Sequence, residues 1–365
     1  MKKVGIIGAG DISRAYLEHA RDLKLFEVAG LCDLNELSAR ARAEEFSVPV
    51  LTQAELLALP LDAVINLTPP AVHAAVTKAA LQAGLNVYSE KPLAVHLAEA
   101  RDLLDEAARR GLTLGCAPDT LLGAGFQTAR EVLQNGLIGR PVAASAFFLV
   151  GGPDNWHPNP AFFYQPGAGP LFDMGPYYLS ALVNLLGSVR RVAGSTTKAF
   201  DVRTIRAGTR QGEQIPVSTP THVTGLLEFE SGVVATVMIS FDVAASETPR
   251  IEVYGTEGTL SVPDPNHFGG PVRYHLHDAQ WMEWPVTRPY ADNSRGVGLA
   301  EMLDARAAGR PARASGEVAY HVLEVMHRIL EAAEAGRFLD VDSRVTQPDL
   351  LPNNVNWSAV EPTPA

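Results

Sequence analysis

The sequence predicts an α/β protein with two domains, a parallel-sheet domain over residues 1–117 and an α+β domain over residues 118–365. In the first segment, short apolar runs alternate with segments of helical periodicity, which is typical of parallel strands covered on both faces. In the second segment, β-rich runs are joined by tight turns, which predicts a large open, mostly antiparallel sheet. With 365 residues, the chain is long enough to build two separate cores.

The first domain is predicted to contain five strands and at least four helices. The strands are Val4–Ile7, Val28–Cys32, Ala63–Leu67, Val87–Ser89 and Leu112–Cys116. The helices are Ser13–Leu23, Leu34–Phe46, Val72–Ala83 and Ala94–Arg109. Thr52 and Glu55 have the spacing of a capping box, which predicts another helix start. Pro70 stands where proline is tolerated at a helix start, and Gly84 is suited to end the same helix.

The second domain is predicted to be richer in strands than in helices. Its strands are Val142–Val150, Val223–Phe229, Val233–Phe241, Ile251–Tyr254 and Thr259–Val262. Glu230-Ser231-Gly232 and Thr256-Glu257-Gly258 are typical of hairpin connections. Two late helices, Val297–Ala308 and Glu317–Ala335, are followed by a proline-rich tail after Phe338 that we expect to be extended.

Composition and charge exclude several classes of function. The net charge of −11, without a Lys/Arg cluster, disfavours binding to nucleic acid or to an anionic membrane surface. No uncharged apolar segment approaches the length of a membrane-spanning helix, and the N-terminus lacks the pattern of a signal peptide. Cys32 and Cys116 lie in apolar stretches without metal-ligand spacing, so we expect a reduced, cytoplasmic protein without a metal site.

A glycine-rich turn between the first strand and the first helix predicts a dinucleotide site. In Gly8-Ala9-Gly10-Asp11-Ile12, the first glycine permits the tight turn and the second lets a pyrophosphate approach the backbone. Ser13 replaces the Gly or Ala that usually completes this motif. Asp33 ends the second strand, where a carboxylate can accept hydrogen bonds from the ribose hydroxyls and repels a 2′-phosphate. We therefore expect the cofactor to be NAD, with NADP less favoured.

Two further motifs follow predicted strands of the same sheet. Thr68-Pro69-Pro70 comes after one strand, and Glu90-Lys91-Pro92 comes directly after another. The carboxyl ends of strands in an open parallel sheet are where ligands bind, so these motifs are candidate site residues. We also expect the Lys91–Pro92 peptide bond to be cis, since this turn must direct Lys91 back toward the cofactor.

These residues together resemble the Gfo/Idh/MocA family of oxidoreductases, named after glucose–fructose oxidoreductase and inositol dehydrogenase. The resemblance rests on the glycine motif, Asp33, the Thr68-Pro69-Pro70 segment with His73, and above all Glu90-Lys91-Pro92. A second family signature is similar to residues 167–177, GAGPLFDMGPY. The resemblance implies an N-terminal Rossmann fold, contacts of Thr68, Pro69, His73, Glu90 and Lys91 with the cofactor, and a C-terminal sheet that often serves for oligomerisation.

The resemblance also implies a catalytic centre, with one departure from the family pattern. Lys91 and Asp173 occupy the positions of the family's catalytic Lys and Asp, whereas Tyr177 stands where a His usually acts as acid and base. Tyrosine ionises near pH ~10, so it needs a neighbouring cation such as Lys91 to act as a base near neutral pH. The alternative is that Tyr177 is a half-buried aromatic residue and that the usual base is lost.

Asn155-Trp156-His157-Pro158 precedes the second signature in a loop and is a candidate substrate contact. An exposed Trp156 offers a face on which a sugar ring can stack, and His157 is a substitute base if Tyr177 is inert. The alternative is that Trp156 anchors a proline-rich loop.

The leading functional hypothesis is an NAD(P)-dependent oxidoreductase that transfers hydride between the nicotinamide and a secondary alcohol or ketone of a sugar, polyol or sugar derivative. Lys91, Asp173 and Tyr177 would both bind the substrate and carry the reaction. The alternatives are an NAD-dependent enzyme that cleaves glycosides through transient oxidation, and a non-catalytic sensor of dinucleotides or sugars. The open sheet favours a homodimer or homotetramer.

Overall fold

The computed structural model describes residues 1–357, and its first domain is built on a parallel sheet of five strands in the order β2-β1-β3-β4-β5. The strands are β1 Lys3–Ile7, β2 Glu27–Cys32, β3 Ala63–Asn66, β4 Asn86–Ser89 and β5 Leu114–Cys116. Five helices accompany them: α1 Asp11–Asp22, α2 Glu36–Phe46, α3 Gln53–Leu57, α4 His73–Gln82 and α5 Leu97–Arg110. All five predicted strands are therefore confirmed, and the sheet is Rossmann-like.

The helix boundaries differ from the predicted ones where side chains cap the first turn. The helix predicted from Leu34 begins at Glu36, because the Asn35 side chain accepts hydrogen bonds from the N–H groups of Leu37 and Ser38. The Thr52–Glu55 capping box is confirmed at the start of α3.

The second domain is built on a mixed sheet of nine strands in the order β15-β14-β13-β12-β6-β11-β10-β7-β16. Neighbouring strands are antiparallel except for the parallel pair β6 and β11. The strands are β6 Pro141–Leu149, β7 Val189–Thr197, β10 His222–Phe229, β11 Val234–Ser240, β12 Ile251–Gly255, β13 Gly258–Val262, β14 Val272–Leu276, β15 Met282–Trp284 and β16 Leu339–Asp340. β8 Val202–Thr204 and β9 Gln214–Pro216 form a separate hairpin.

Three helices pack on one face of this sheet, namely α6 Ala124–Gln134, α7 Pro170–Leu186 and α9 Gly316–Ala335. α9 begins after Ser315, whose hydroxyl caps it, and its predicted core stripe from Val318 to Ile329 is buried. On the opposite face, neighbouring strands place Thr224, Met238 and Phe147 side by side, and all three are half-buried.

The remaining helix, α8 Val297–Ala307, packs with the first domain although it follows the second domain in sequence. Its buried side chains share one apolar cluster with Tyr16 and Phe26. The chain after α8 also meets the first sheet, because Cys116 N–H donates to the Ala314 carbonyl at 3.0 Å. The segment predicted as residues 118–365 thus contributes a helix to the core of the N-terminal domain.

From Leu339 to Trp357 the tail contains no helix, and arginines hold it against the body of the protein. Arg313 and Arg288 donate to the carbonyls of Asp349 and Leu351, respectively. Residues 358–365, the end of the tail that we predicted to be extended, lie outside the described residues. Within residues 1–357, the longest apolar helical stretches are too short or too polar to cross a bilayer.

Candidate active site

The turn from β1 into α1 forms the phosphate end of the candidate cofactor site. Gly8 has a φ of 109°, and a Cβ there would lie 2.6 Å from the Leu67 carbonyl carbon, so this position requires glycine. A Cβ on Gly10, in contrast, would meet no atom within 4 Å, which leaves open space in front of the first turn of α1. Ser13 is buried and its hydroxyl donates to the Gly10 carbonyl at 2.6 Å, so it stabilises the turn. The exposed N–H groups of this turn suit a pyrophosphate.

Asp33 is fixed at the end of β2 by two backbone contacts. Its Oδ2 accepts from Ala9 N–H and its Oδ1 from Asn35 N–H, both at 2.7 Å. A carboxylate oxygen can accept more than one hydrogen bond, so Asp33 retains acceptor capacity for ribose hydroxyls. The glycine turn and Asp33 together fit a dinucleotide, whose pyrophosphate and adenosine ribose they would hold.

His73, which the family resemblance placed among the cofactor contacts, begins α4 and is only 1 % exposed. Its Nδ1 lies 2.7 Å from the Pro92 carbonyl oxygen, and its Nε2 lies 2.6 Å from that of Thr68. Both ring nitrogens are therefore engaged by the backbone. His73 connects the Thr68-Pro69 turn to the Lys91 turn and positions both.

Glu90 has a similar supporting position. Its Oε1 accepts from the Tyr16 hydroxyl at 3.0 Å and its Oε2 from the Lys91 N–H at 3.0 Å, and its side chain is buried. The following Lys91–Pro92 peptide bond is cis, which confirms the prediction. Glu90 thus anchors the start of the turn that carries Lys91.

Lys91 and Asp173 meet across the cleft between the two domains. Lys91 Nζ donates to Asp173 Oδ1 at 2.9 Å and to the Asp173 carbonyl at 2.7 Å. Burial disfavours the charge on Lys91, but the Asp173 carboxylate, together with Tyr177 and Glu90, outweighs it and raises the pKa of Lys91 above its ordinary value. Lys91 is therefore an ammonium throughout the physiological pH range.

Tyr177 lies one helical turn after Asp173 on α7 and joins the same cluster. Lys91 Nζ stands 5.3 Å from the centroid of the Tyr177 ring, and within residues 1–357 the Tyr177 hydroxyl forms no hydrogen bond. Burial raises the pKa of Tyr177 and outweighs the lowering by Arg295 and Lys91. The expectation that Lys91 would bring Tyr177 to a neutral-pH base is corrected here, since Tyr177 is a protonated phenol at neutral pH.

Arg295 and Asp119 form a buried pair that the sequence did not reveal. Arg295 Nη1 donates to Asp119 Oδ1 at 3.2 Å, while Asp119 Oδ2 accepts from the N–H groups of Gly296 and Gly298 at the start of α8. Arg295 has a greater effect on the pKa of Tyr177 than Lys91 does. The two residues are 176 positions apart and belong to no recognisable motif, so no local sequence signal pairs them.

Trp156 and His157 lie in a separate aromatic cluster on the loop before α7. The Trp156 side chain is 64 % exposed, and its ring centroid lies 5.3 Å from that of His157. The His157 ring packs edge-on against Phe162 and Phe163, and its Nδ1 accepts from Asn159 N–H. In the described part of the chain, no hydrogen bond or ring contact joins either residue to Lys91, Asp173 or Tyr177.

This loop is held in place by a buried ionic network. Arg203 from β8 pairs with Asp154 at 3.3 Å and also with Asp242, and Tyr164 donates to Asp154.

Across residues 1–357, no three His, Cys, Asp or Glu side chains are grouped so that they could hold a metal ion.

Comparison with known proteins places both halves of the chain in one group. Residues 2–117 match the family model described as an oxidoreductase family with an NAD-binding Rossmann fold, and residues 126–261 match the GFO/IDH/MocA C-terminal domain. The chain is 29 % identical over 263 residues to 1,5-anhydro-D-fructose reductase of Ensifer adhaerens, covering 71 % of this chain and 75 % of that protein.

Two further relatives extend the comparison. D-apiose dehydrogenase of Paraburkholderia graminis is 30 % identical over 273 residues, covering 71 % of this chain and 66 % of that protein. The solved structure of levoglucosan dehydrogenase in complex with NADH superposes with a TM-score of 0.80 at 20 % identity, covering 94 % of this chain and 99 % of that one. At this identity the structural likeness shows the fold alone.

Proposed function

Since this chain belongs to the Gfo/Idh/MocA family of NAD-binding oxidoreductases, we propose that it interconverts a secondary alcohol and a ketone on a sugar, polyol or sugar derivative. The observation that carries this proposal is the cluster in which Lys91 Nζ lies 2.9 Å from Asp173 Oδ1 and 5.3 Å from the Tyr177 ring centroid. It combines a permanent cation, a carboxylate and a titratable hydroxyl in one buried cleft.

The residues have distinct roles in this proposal. Lys91 donates a hydrogen bond to the reacting oxygen and stabilises the negative charge that develops there. Asp173 fixes the Lys91 ammonium and accepts a hydrogen bond from a second substrate hydroxyl. Tyr177 transfers the proton. The nicotinamide, when bound, supplies or accepts the hydride.

The two directions of the reaction require different protonation states of Tyr177, and its raised pKa favours the protonated state. In ketone reduction, the protonated phenol delivers its proton to the oxygen while hydride reaches the carbon, and the product is the secondary alcohol. In oxidation, the phenolate must first form before it can remove the hydroxyl proton. Tyr177 is thus ready to act as an acid at neutral pH.

The test begins with mass spectrometry of the purified protein for retained NAD(H). A panel of sugars, polyols and the corresponding keto sugars is then assayed by NADH absorbance in both directions. We expect at least one member of the panel to be turned over with net change in NADH, and Lys91→Ala to reduce that turnover by about two orders of magnitude or more. Glycoside cleavage without net change in NADH would instead indicate transient oxidation, and no turnover of any member would contradict the proposal.

A further inference from the structure

His327, a histidine without a part in the function proposed above, connects the two domains close to the candidate catalytic cluster. It lies on α9, which packs against α7, the helix that carries Asp173 and Tyr177. Its Nε2 lies 3.0 Å from the carbonyl oxygen of Val95 in the first domain. A carbonyl oxygen can only accept, so Nε2 carries a ring proton and donates it. The second domain is thus hydrogen-bonded directly to the chain segment that follows Lys91.

The segment that accepts this hydrogen bond is the Lys91 turn, residues 91–95. From the first domain, His73 holds the turn, because its Nδ1 lies 2.7 Å from the Pro92 carbonyl oxygen. From the second domain, His327 holds the other end of the turn. Within residues 1–357, the only other hydrogen bonds between this turn and the second domain are those of the Lys91 ammonium described above. The backbone that carries Lys91 is therefore fixed at two points, one by each domain.

The ring of His327 also contacts the first turn of α7. Its centroid lies 5.2 Å from that of the Phe172 ring, and the two rings meet edge to face at 70°. Phe172 is buried and immediately precedes Asp173 in the chain. One side chain therefore contacts the two segments that carry the partners of the Lys91–Asp173 pair, without forming part of that pair.

The hydrogen bond from His327 does not depend on the titration of its ring. Burial lowers the pKa of His327 and outweighs the hydrogen bond to Val95 and the Glu331 carboxylate, which raise it. The ring is therefore neutral at neutral pH, and its single N–H is the one that Val95 accepts. An imidazolium would donate the same hydrogen bond, so we expect the contact to persist at acidic pH.

We propose that His327 is a positioning residue, which fixes the Lys91 turn against the first turn of α7 so that the Lys91 ammonium faces both Asp173 and the reacting oxygen. The inference rests on the function proposed above and adds to it a residue that no motif of the sequence indicates. The lysine side chain is a flexible four-carbon chain, so the placement of its ammonium depends on a rigid backbone below it. A displacement of about 1 Å at a reacting group can cost about 10²-fold in rate.

The first experiment separates the hydrogen bond from the ring contact. His327→Phe keeps an aromatic ring beside Phe172 and removes the donor, whereas His327→Gln keeps an N–H donor. We expect kcat of His327→Phe to fall about tenfold, because the Val95 carbonyl loses its partner and the Lys91 turn is released. The Kd for NAD should remain unchanged, since neither change touches the glycine turn. His327→Gln should recover most of the lost kcat.

His321, on the same helix, provides the matched control. It is completely buried, and its Nε2 accepts from the Val189 N–H at 3.0 Å, a contact within the second domain. His321→Gln should lower the melting temperature while kcat per folded molecule stays near that of the unmodified protein. A merely structural role of His327 would give His327→Phe this same pattern.

A double-mutant cycle tests whether His327 acts through Lys91. If it does, adding His327→Phe to Lys91→Ala should lower kcat by less than about twofold, because the group that His327 positions is already absent. A further tenfold loss of kcat in the double variant would show that His327 acts on the reaction by another route and would contradict the proposal.

Chemical labelling of Lys91 gives a readout that requires no turnover. The protein is treated briefly with acetic anhydride at mildly alkaline pH, and peptide mass spectrometry measures the acetylated fraction of Lys91 relative to the more exposed Lys78. In the unmodified protein the Lys91 ammonium is only 17 % exposed and is paired with Asp173, which disfavours acetylation. We expect the relative labelling of Lys91 to rise severalfold in His327→Phe, and to stay unchanged in His327→Gln and His321→Gln.

The outcomes separate this inference from the function on which it rests. Normal kcat and unchanged Lys91 labelling in His327→Phe would overturn the inference and leave the oxidoreductase function standing. If the unmodified protein showed no NAD-linked turnover of any sugar or polyol, the proposed function would fail. The labelling of Lys91 would then decide by itself whether His327 positions it.

Discussion

The Lys91 ammonium and the Asp173 carboxylate lie 2.9 Å apart although their residues are separated by 82 positions and belong to different domains. Lys91 lies in the turn that follows β4 of the parallel-sheet domain. Asp173 lies in the first turn of α7 in the other domain. This contact brings a side chain from the cofactor side of the cleft to the helix that carries Tyr177. The arrangement of the reacting groups therefore depends on the packing of the two domains.

We expect Lys91→Ala to reduce turnover by about two orders of magnitude or more, because it removes both the cation near the reacting oxygen and the partner of Asp173. The Kd for NAD should remain almost unchanged, since the glycine turn and Asp33 lie elsewhere on the sheet. Steady-state kinetics and calorimetric titration with NAD measure the two effects. Lys78→Ala, which breaks a surface pair with Asp102, is the control. Near-normal turnover in Lys91→Ala would refute the assigned role.

We expect Tyr177→Phe to lower kcat by about 10²–10⁴-fold, the usual contribution of general acid–base catalysis, while the fold is retained. His157→Ala should have a much smaller effect, because His157 packs within the aromatic cluster of its own loop. A nearly normal Tyr177→Phe enzyme together with an inactive His157→Ala enzyme would transfer the role of acid and base to His157.

The raised pKa of Tyr177 predicts opposite pH profiles for the two directions. Ketone reduction uses the protonated phenol, so its kcat/KM should be independent of pH around neutrality. It should fall only at alkaline pH, above the ordinary pKa of tyrosine, where the phenol ionises. Alcohol oxidation uses the phenolate, so kcat/KM should rise by about tenfold per pH unit below the pKa of Tyr177. The profiles are measured between weakly acidic and alkaline pH. An oxidation rate that levels off near neutrality would show that another group takes the proton.

We expect Asp33→Ser to weaken the preference for NAD over NADP by about tenfold or more, because the carboxylate that opposes the 2′-phosphate is removed. The Kd values of both dinucleotides provide the measurement. A second variant, Asp33→Asn, retains an acceptor for the ribose and removes only the charge. Asp22→Ser, on the exposed end of α1, serves as the control. Wild-type protein that binds NADP as tightly as NAD would contradict the role given to Asp33.

We also expect the protein to form a homodimer or homotetramer through the face of the nine-stranded sheet that carries Thr224, Met238 and Phe147. Covering a half-buried sheet face of this kind removes apolar surface from water. Light scattering at micromolar concentration should give a mass at least twice the 39.1 kDa of one chain. Met238→Glu should dissociate the assembly, and Leu37→Glu on exposed α2 should not. A stable monomer of the unmodified protein would refute this expectation.

Local patterns were sufficient to predict most of the fold. Alternating apolar strands and helices predicted the parallel sheet, and hairpin turns such as Glu230-Ser231-Gly232 predicted β10 and β11 to within one residue. α6 was not predicted, although nearly all of it is buried. The strands β7, β8, β9, β14, β15 and β16 were also missed. β16 has only two residues and is defined by its pairing with β7 rather than by its own composition.

The candidate site was likewise predictable from local sequence patterns only in part. Gly8, Asp33 and Lys91 stand at strand ends, where the sequence pattern indicates function directly. The environment of Tyr177 could not be predicted, since its pKa depends on burial by distant segments and on Arg295. A sequence shows which group can titrate, whereas only the folded structure shows which charges surround it.

The position of α8 has a consequence for how the protein is made. The buried side chains of α8 and of Ala312 and Ala314 complete the apolar core of the N-terminal domain, yet they are synthesised about 180 residues after β5. At ribosomal rates of about 5–20 residues per second, that core remains incomplete for roughly 10–40 s after its last strand has emerged. A nascent N-terminal domain therefore exposes apolar side chains of α1, such as Tyr16 and Leu17, until α8 has been synthesised.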